Sequence, residues 1–234
     1  YIDNDNDNDY GNGFNYVKYP DYGYVFGNDS DLEKSICDDC IFDSLATLII
    51  GNNVTKIPAH AFVGCKELTE IVIPNSVTEI GWRAFYNCEN LKSITIPNSV
   101  KKIEWCAFSN CTSLTEISVA EDNPVYDSRE GCNAIIETAT NKLIAGCKST
   151  IIPNSVTEIG EDAFSGCTGL TTITIPNSVK KIEEQAFYYC ENLTTITIPN
   201  SVKKIGERTF WGCSGLTSIT IPNSVTEIEE DTFC

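Results

Sequence analysis

The 234-residue chain carries 33 acidic residues against 16 basic ones, a net charge of −17. That surplus repels phosphate backbones and anionic lipid surfaces, and no basic stripe offsets it, so nucleic acid is excluded as a partner. Hydrophobic residues make up 41 % of the chain, enough for a continuous core. No apolar run approaches the roughly 20 residues that span a bilayer, so no membrane insertion is expected.

In chain order, residues 1–43 come first and carry six tyrosines. They open on an Asp/Asn alternation running from Asp3 through Asp5 and Asp7 to Asp9. Carboxylates at every second position converge on a hard cation in calcium loops. Such a loop needs glycine at its sixth position and an acid at its twelfth. Counted from Asp3, those positions hold Asn8 and Phe14, so the alternative, a disordered acidic tail, is the expectation. Phe14 to Phe26 reads as a short hairpin, and Cys37 and Cys40 as a structural pair, because a lone C-x-x-C without a second pair is a weak zinc signal. The chain opens at Tyr1 without an initiator Met and stops at Cys234 inside a repeat, which reads as a piece of a longer protein.

From residue 44 a 23-residue unit recurs, with its phenylalanine at Phe62, Phe85, Phe108, Phe164, Phe187, Phe210 and Phe233. Every step is 23 except one of 56, which is 23 plus an insertion of 33. A fixed period in this range is the signature of a solenoid, whose units bury their apolar faces only against neighbouring units. In one rung the apolar columns are Leu170, Ile173, Ile175, Val179, Ile182, Ala186, Phe187 and Cys190. Ile-x-Ile with threonine between is a period-2, β-branched strand signal. Proline at Pro74, Pro97, Pro153, Pro176, Pro199 and Pro222 ends each strand. The Ala-Phe-x-x-Cys segment has room for about one helical turn.

Six of the 12 cysteines, Cys65, Cys88, Cys111, Cys167, Cys190 and Cys213, share one column. Buried in stacked rungs they read as reduced thiols acting as small hydrophobes. A second column, Lys56, Glu79, Lys102, Glu158, Lys181, Lys204 and Glu227, alternates in charge on most adjacent rungs, as stacked strands favour. Lys181 above Lys204 breaks that alternation.

These residues resemble the BspA-like (treponemal-type) leucine-rich repeat family, whose unit runs L-x-x-I-x-I-P-x-S-V-x-x-I-x-x-x-A-F-x-x-C. The match covers about residues 45–234. The resemblance implies an α/β solenoid: a right-handed leucine-rich repeat coil with a parallel β-sheet on its concave face and short helical turns elsewhere. It also implies a secreted or cell-surface protein used for adhesion to host or microbial surface proteins. The resulting organisation is 1–43 as an N-terminal cap with an acidic tail, 44–119 as repeats, 120–150 as a β-hairpin insertion and 151–234 as repeats, truncated in the last unit.

Within the insertion, a turn at Asn141 sets Glu137 opposite Lys142, Ile136 opposite Leu143 and Cys132 opposite Cys147. Two states are open to Cys132 and Cys147: a disulfide across the hairpin, or a reduced pair packed on the core.

Two surfaces are candidates for ligand binding. The strand face presents Thr95, Ser118, Thr174, Thr197 and Thr220, a polar floor for a protein or glycan, with Ile49, Val72 and Glu116 interrupting it. Off the core columns, Trp82 and Trp105 share one repeat position, with Tyr86 close by, and Tyr188, Tyr189 and Trp211 form a second group. Tryptophan and tyrosine are enriched at interface hot spots and stack on sugars. The same residues could instead shield core, and the two readings stand level.

Catalysis has little support. His60 is the single histidine, and no nucleophile pattern, glycine-rich phosphate loop or H-E-x-x-H appears. A non-enzymatic protein without metal or cofactor is expected, its function protein binding of adhesion type. The competing reading is a structural spacer or self-associating surface element.

Overall fold

The computed structural model describes the backbone strands Tyr16–Tyr19 and Gly23–Phe26 and all of residues 44–234. The acidic run of residues 3–9 and the pair Cys37 and Cys40 lie outside the described residues. The chain forms a β-solenoid with parallel ladders and almost no helix. Ile-x-Ile segments form one ladder type: Thr172–Thr174, Thr195–Thr197 and Ser218–Thr220 stand in register 23 residues apart. Their central isoleucines turn inward and the threonines outward, because side chains alternate along a strand. At the N-terminal end, Gly23–Phe26 pairs antiparallel with Tyr16–Tyr19 and parallel with Thr47–Ile50, extending that ladder by two strands.

Between the ladders lies the core. Phenylalanine rings stack rung on rung, with centroids 5.3 Å apart for Phe62 and Phe85, 5.7 Å for Phe85 and Phe108, and 5.1 Å for Phe164 and Phe187. Each fully buried ring or isoleucine contributes roughly 1.5–3 kcal/mol relative to exposure. Thiols of the cysteine column are held one rung out of step: Cys88, Cys111, Cys190 and Cys213 donate to the carbonyls of Phe62, Phe85, Phe164 and Phe187 at 3.1–3.2 Å. These four are free cysteines, so the column packs as thiols.

The Ala-Phe-x-x-Cys segment departs from the expected helical turn. It runs as consecutive turns, and the single described helical piece is a 3-10 turn at Arg129–Gly131. The reason is where its amides point. Phe85 N donates to Ala107 O at 2.9 Å and Phe187 N to Thr209 O at 3.0 Å, so alternate amides bond to the next rung, while those between them bond three residues back, as Tyr86 N does to Arg83 O at 3.1 Å. Left-handed residues at His60, Arg83, Cys106, Asp162, Gln185, Arg208 and Asp231, with φ between 50° and 59°, rotate the backbone to allow this.

The insertion joins the array instead of hanging from it. Ala134–Glu137 and Lys142–Gly146 pair antiparallel, with Glu137 opposite Lys142 and Ile136 opposite Leu143. Lys142–Gly146 then pairs in parallel with Glu158–Ile159, so Lys142 and Leu143 stand where a rung would place its own strand. A bulge between Ile135 and Ile136 shifts the register by one residue, with Ala134 opposite Gly146. This corrects the expected pairing of Cys132 with Cys147: the shift sets Asn133 beside Cys147, whose thiol donates to the Asn133 carbonyl at 3.5 Å. Both cysteines are free and buried.

The charged column closes across this junction. Glu79 lies between Lys56 at 3.0 Å and Lys102 at 2.9 Å, and hydrogen bonds from Lys102 and then Lys56 hold its carboxyl below the usual range. Lys142 meets Glu158 at 3.2 Å and also reaches Glu183. The Lys181–Lys204 clash is resolved sideways, with Lys181 on Glu183 and Lys204 on Glu229 at 2.6 Å.

Glu183 is the centre of this network. Burial pushes its carboxyl up, but hydrogen bonds from Lys142 and Lys181 outweigh burial and bring it down from 4.5 to about 2. A folded value below the unfolded one means that the stabilisation is complete above pH 4.5 and is lost as pH falls toward 2. Glu183→Gln should therefore lower the melting temperature at pH 7 by roughly 5 °C, for a loss on the order of 2 kcal/mol. Melting curves taken from pH 7 down to pH 2 should show this gap closing. A gap of constant size would mean that Glu183 acts through packing and not charge.

Candidate interaction surface

The aromatic residues off the core lie on the six-residue turns, in columns flanking the buried phenylalanines. Trp82 and Trp105 stack at 4.8 Å with a tilt of 35°. Trp82 is half-buried: His60 meets its ring edge-on at 4.5 Å, and its backbone amide donates to Glu104 Oε2 at 2.8 Å. Arg83 places its guanidinium 4.9 Å from the Trp82 ring and 4.8 Å from the Tyr86 ring, binding the two aromatic columns together. Such cation–π contacts contribute about 0.5–2 kcal/mol. Trp105 is the outer member and is 48 % exposed. The two sequence readings therefore divide between two residues: Trp82 shields core, and Trp105 presents an indole to solvent on a rigid base.

Tyr188, Tyr189 and Trp211 form the second group. Tyr188 and Tyr189 meet edge to face at 4.6 Å. Tyr189 occupies the left-handed region with φ 52°, at a column where other rungs place Gly64, Asn87, Asn110, Gly166 and Gly212. Glycine and asparagine adopt that conformation at least cost, so a tyrosine there is held against its backbone preference by what surrounds it. Its ring fills the space above Gly212, where a Cβ would come within 2.9 Å of Tyr189 Cδ1. The Tyr188 phenol is pushed up by burial first, then by the negative forms of Tyr189 and Tyr86.

The threonines belong to the strands and not to the turns. Thr95, Thr174, Thr197 and Thr220 are all exposed. Thr95 hydrogen-bonds Ser118 at 2.9 Å, while Thr174, Thr197 and Thr220 run in register in a separate ladder. Ile49 and Val72 extend the face as exposed apolar positions at 37 % and 59 %. The structure thus separates the candidate residues into a strand face and an aromatic turn face.

A small cleft opens on the turn side at the junction, where Cys106, Ser109, Asp162 and Ser165 line it together with apolar residues such as Ile103, Phe108 and Ile144. None of the first four stood out in the sequence. The signal was present: with 33 inserted residues removed, Cys106 and Asp162 become consecutive members of one column. Among the described residues no group of three His, Cys, Asp or Glu is arranged to hold a metal, and no helix is long and apolar enough to cross a membrane.

Comparison with known proteins bears on this architecture. The profile of the BspA type leucine rich repeat region matches residues 32–140 and 134–234, in six copies. A leucine rich cell surface protein from Faecalibacterium prausnitzii A2-165 is 33 % identical with a TM-score of 0.71, the alignment covering 82 % of this chain and 51 % of that one. This chain therefore spans about half the length of that relative. A leucine-rich repeat protein from Eubacterium ventriosum shares the fold at 19 % identity and a TM-score of 0.60, covering 88 % of this chain and 69 % of that chain. The pneumococcal vaccine antigen PcpA does so at 22 % identity and 0.51, covering 80 % and 65 %. Among curated proteins no match is found. Six profile copies over most of the length, rung-to-rung stacking of the repeated columns and the likeness to the F. prausnitzii structure agree: this chain belongs to the BspA-type leucine-rich repeat family.

Proposed function

We propose that this protein is a surface-exposed or secreted, non-enzymatic binding module that engages a host or microbial surface protein through its aromatic turn face. The observation that carries the reading is Trp105, an indole 48 % exposed yet braced by Trp82. A large aromatic side chain fixed before binding adds contact area at low entropic cost. The left-handed Tyr189, 41 % exposed, supports the same face. The F. prausnitzii relative, described as a cell surface protein, supports the location.

The test uses retention of host extracellular-matrix proteins on immobilised protein. Trp105→Ala should cut retention at least tenfold, with a stability loss of about 1 kcal/mol. Trp82→Ala should cost about 3 kcal/mol and lower the melting temperature by roughly 10 °C. Unchanged retention in Trp105→Ala would remove the aromatic face from the reading. Nothing retained by the wild type, with concentration-dependent light scattering, would favour a self-associating spacer.

A further inference from the structure

The junction cleft brings together four side chains that are each more than nine-tenths buried: Cys106 at 8 %, and Ser109, Asp162 and Ser165 at 6 %. They come from two stacked turns. Ser109 N donates to Cys106 O at 3.2 Å, and Ser165 N to Asp162 O at 3.0 Å. Thus the insertion, by passing through the ladder and not through the turns, sets Asp162 directly beside Cys106. Thiol, carboxyl and two hydroxyls line the same opening.

Asp162 is a carboxyl without a cation. Among the described residues its side chain is in no ion pair. Arg83 attracts this carboxyl without forming an ion pair with it, its guanidinium lying 4.9 Å from the Trp82 ring and 4.8 Å from the Tyr86 ring. Burial, helped by the like charge of Glu184, raises the carboxyl above its usual range, against hydrogen bonds from Cys106 and Ser165 and the attraction of Arg83. The Cys106 thiol is pushed up to about 12, by burial first and then by the Asp162 charge. An ionised carboxylate in such a place is costly unless a cation joins it.

We infer that this cleft receives the ammonium head of a lysine side chain from the partner protein, with Asp162 as counter-charge. The opening has room for one water-sized group, which an ammonium matches and a planar guanidinium or a sugar ring does not. An ammonium offers three donors, and the Asp162 carboxylate with the Ser109 and Ser165 hydroxyls offers three acceptors. A net charge of −17 favours approach by a basic partner. Tyr86 and Tyr188 occupy the turn column of Ser109 and Ser165, one rung before the first and one rung after the second.

This inference deepens the partner-binding reading and rests on it, but its test needs no partner. n-Butylammonium chloride, a lysine side-chain mimic, is titrated into the 234-residue protein while amide resonances are followed by NMR. The amides of Cys106, Ser109, Asp162 and Ser165 should shift saturably. Asp162→Asn should bind at least tenfold more weakly. Tetramethylammonium, of equal charge but too large, should bind the wild type at least tenfold more weakly as well, a control that holds even where the variant fails to fold. Linear shifts spread over surface carboxylates, or equal titrations by the two cations, would overturn the inference. Failure here leaves the Trp105 experiment untouched, and failure of Trp105→Ala to affect retention leaves this titration untouched.

Discussion

Replacing Phe187 with alanine is expected to lower the melting temperature by roughly 10 °C. Phe187 is fully buried and stacks on Phe164 at 5.1 Å and on Phe210 at 5.6 Å, so its removal empties two interfaces at once. Core Phe→Ala changes cost about 3–5 kcal/mol, and the upper part applies where surroundings cannot collapse. Collapse is resisted here because rung spacing is set by backbone bonds, with Phe187 N on Thr209 O at 3.0 Å and the Cys213 thiol on Phe187 O at 3.1 Å. The contrast is Phe233→Ala. That ring is 43 % exposed and stacks on one neighbour, so its loss should cost less than half as much. Thermal melts of the two variants check this, and equal shifts would mean that ring stacking is not what holds the rungs.

Gly146→Ala should be nearly as damaging, although it adds only a methyl group. A Cβ at Gly146 would lie 2.2 Å from Phe164 Cε1 and 2.6 Å from Cζ. Phe164 cannot tilt away freely, because it is fully buried and already stacked on Phe187. Overpacking of this kind costs about 1–3 kcal/mol, and the rigid neighbour places Gly146→Ala at the upper end. The position matters as much as the size of the clash. Gly146 N donates to Ala163 O at 2.8 Å, the carbonyl that the rung pattern would assign to Phe108. The phenylalanine ladder is interrupted there, and the core divides into two clusters that interleave in the insertion, Ile135 and Cys147 belonging to the first and Ile136 and Leu143 to the second. We therefore expect calorimetry of Gly146→Ala to resolve two transitions where the wild type shows closer cooperativity, because weakening one interface uncouples the arrays on either side. Adding Phe164→Leu should recover part of the loss. A single transition within about 2 °C of the wild type would show that the junction yields easily.

Much of the fold was legible because a solenoid repeats one translation. Once Phe85 is known to stack on Phe108, every residue 23 positions on has the same neighbour, and the isoleucine, cysteine and charge columns follow. The helical turn was less legible. About six residues with helix-compatible composition close as turns, because a neighbouring rung's carbonyl at 2.7–3.4 Å satisfies every second amide, and local propensity carries no record of that neighbour. The charge column shows the same limit. Lys181 lies above Lys204 by register, yet each long side chain reaches a carboxylate outside the column.

For the surface, sequence marked the aromatic columns but could not rank their members. Trp82 and Trp105 share one repeat position, and only the contacts of His60, Glu104 and Arg83 bury the first and leave the second open. By itself, then, the sequence determined the period, the core columns and the two candidate faces, since these depend on side-chain chemistry repeated at constant spacing. The tertiary structure alone decided what happens where the spacing fails. It shifted the Cys132–Cys147 register by a bulge, gave Ala163 O to Gly146, and set the unpaired Asp162 beside Cys106. The physical reason is that an insertion breaks the translation, and contacts across the break follow from backbone hydrogen bonding and available volume instead of from position in the unit.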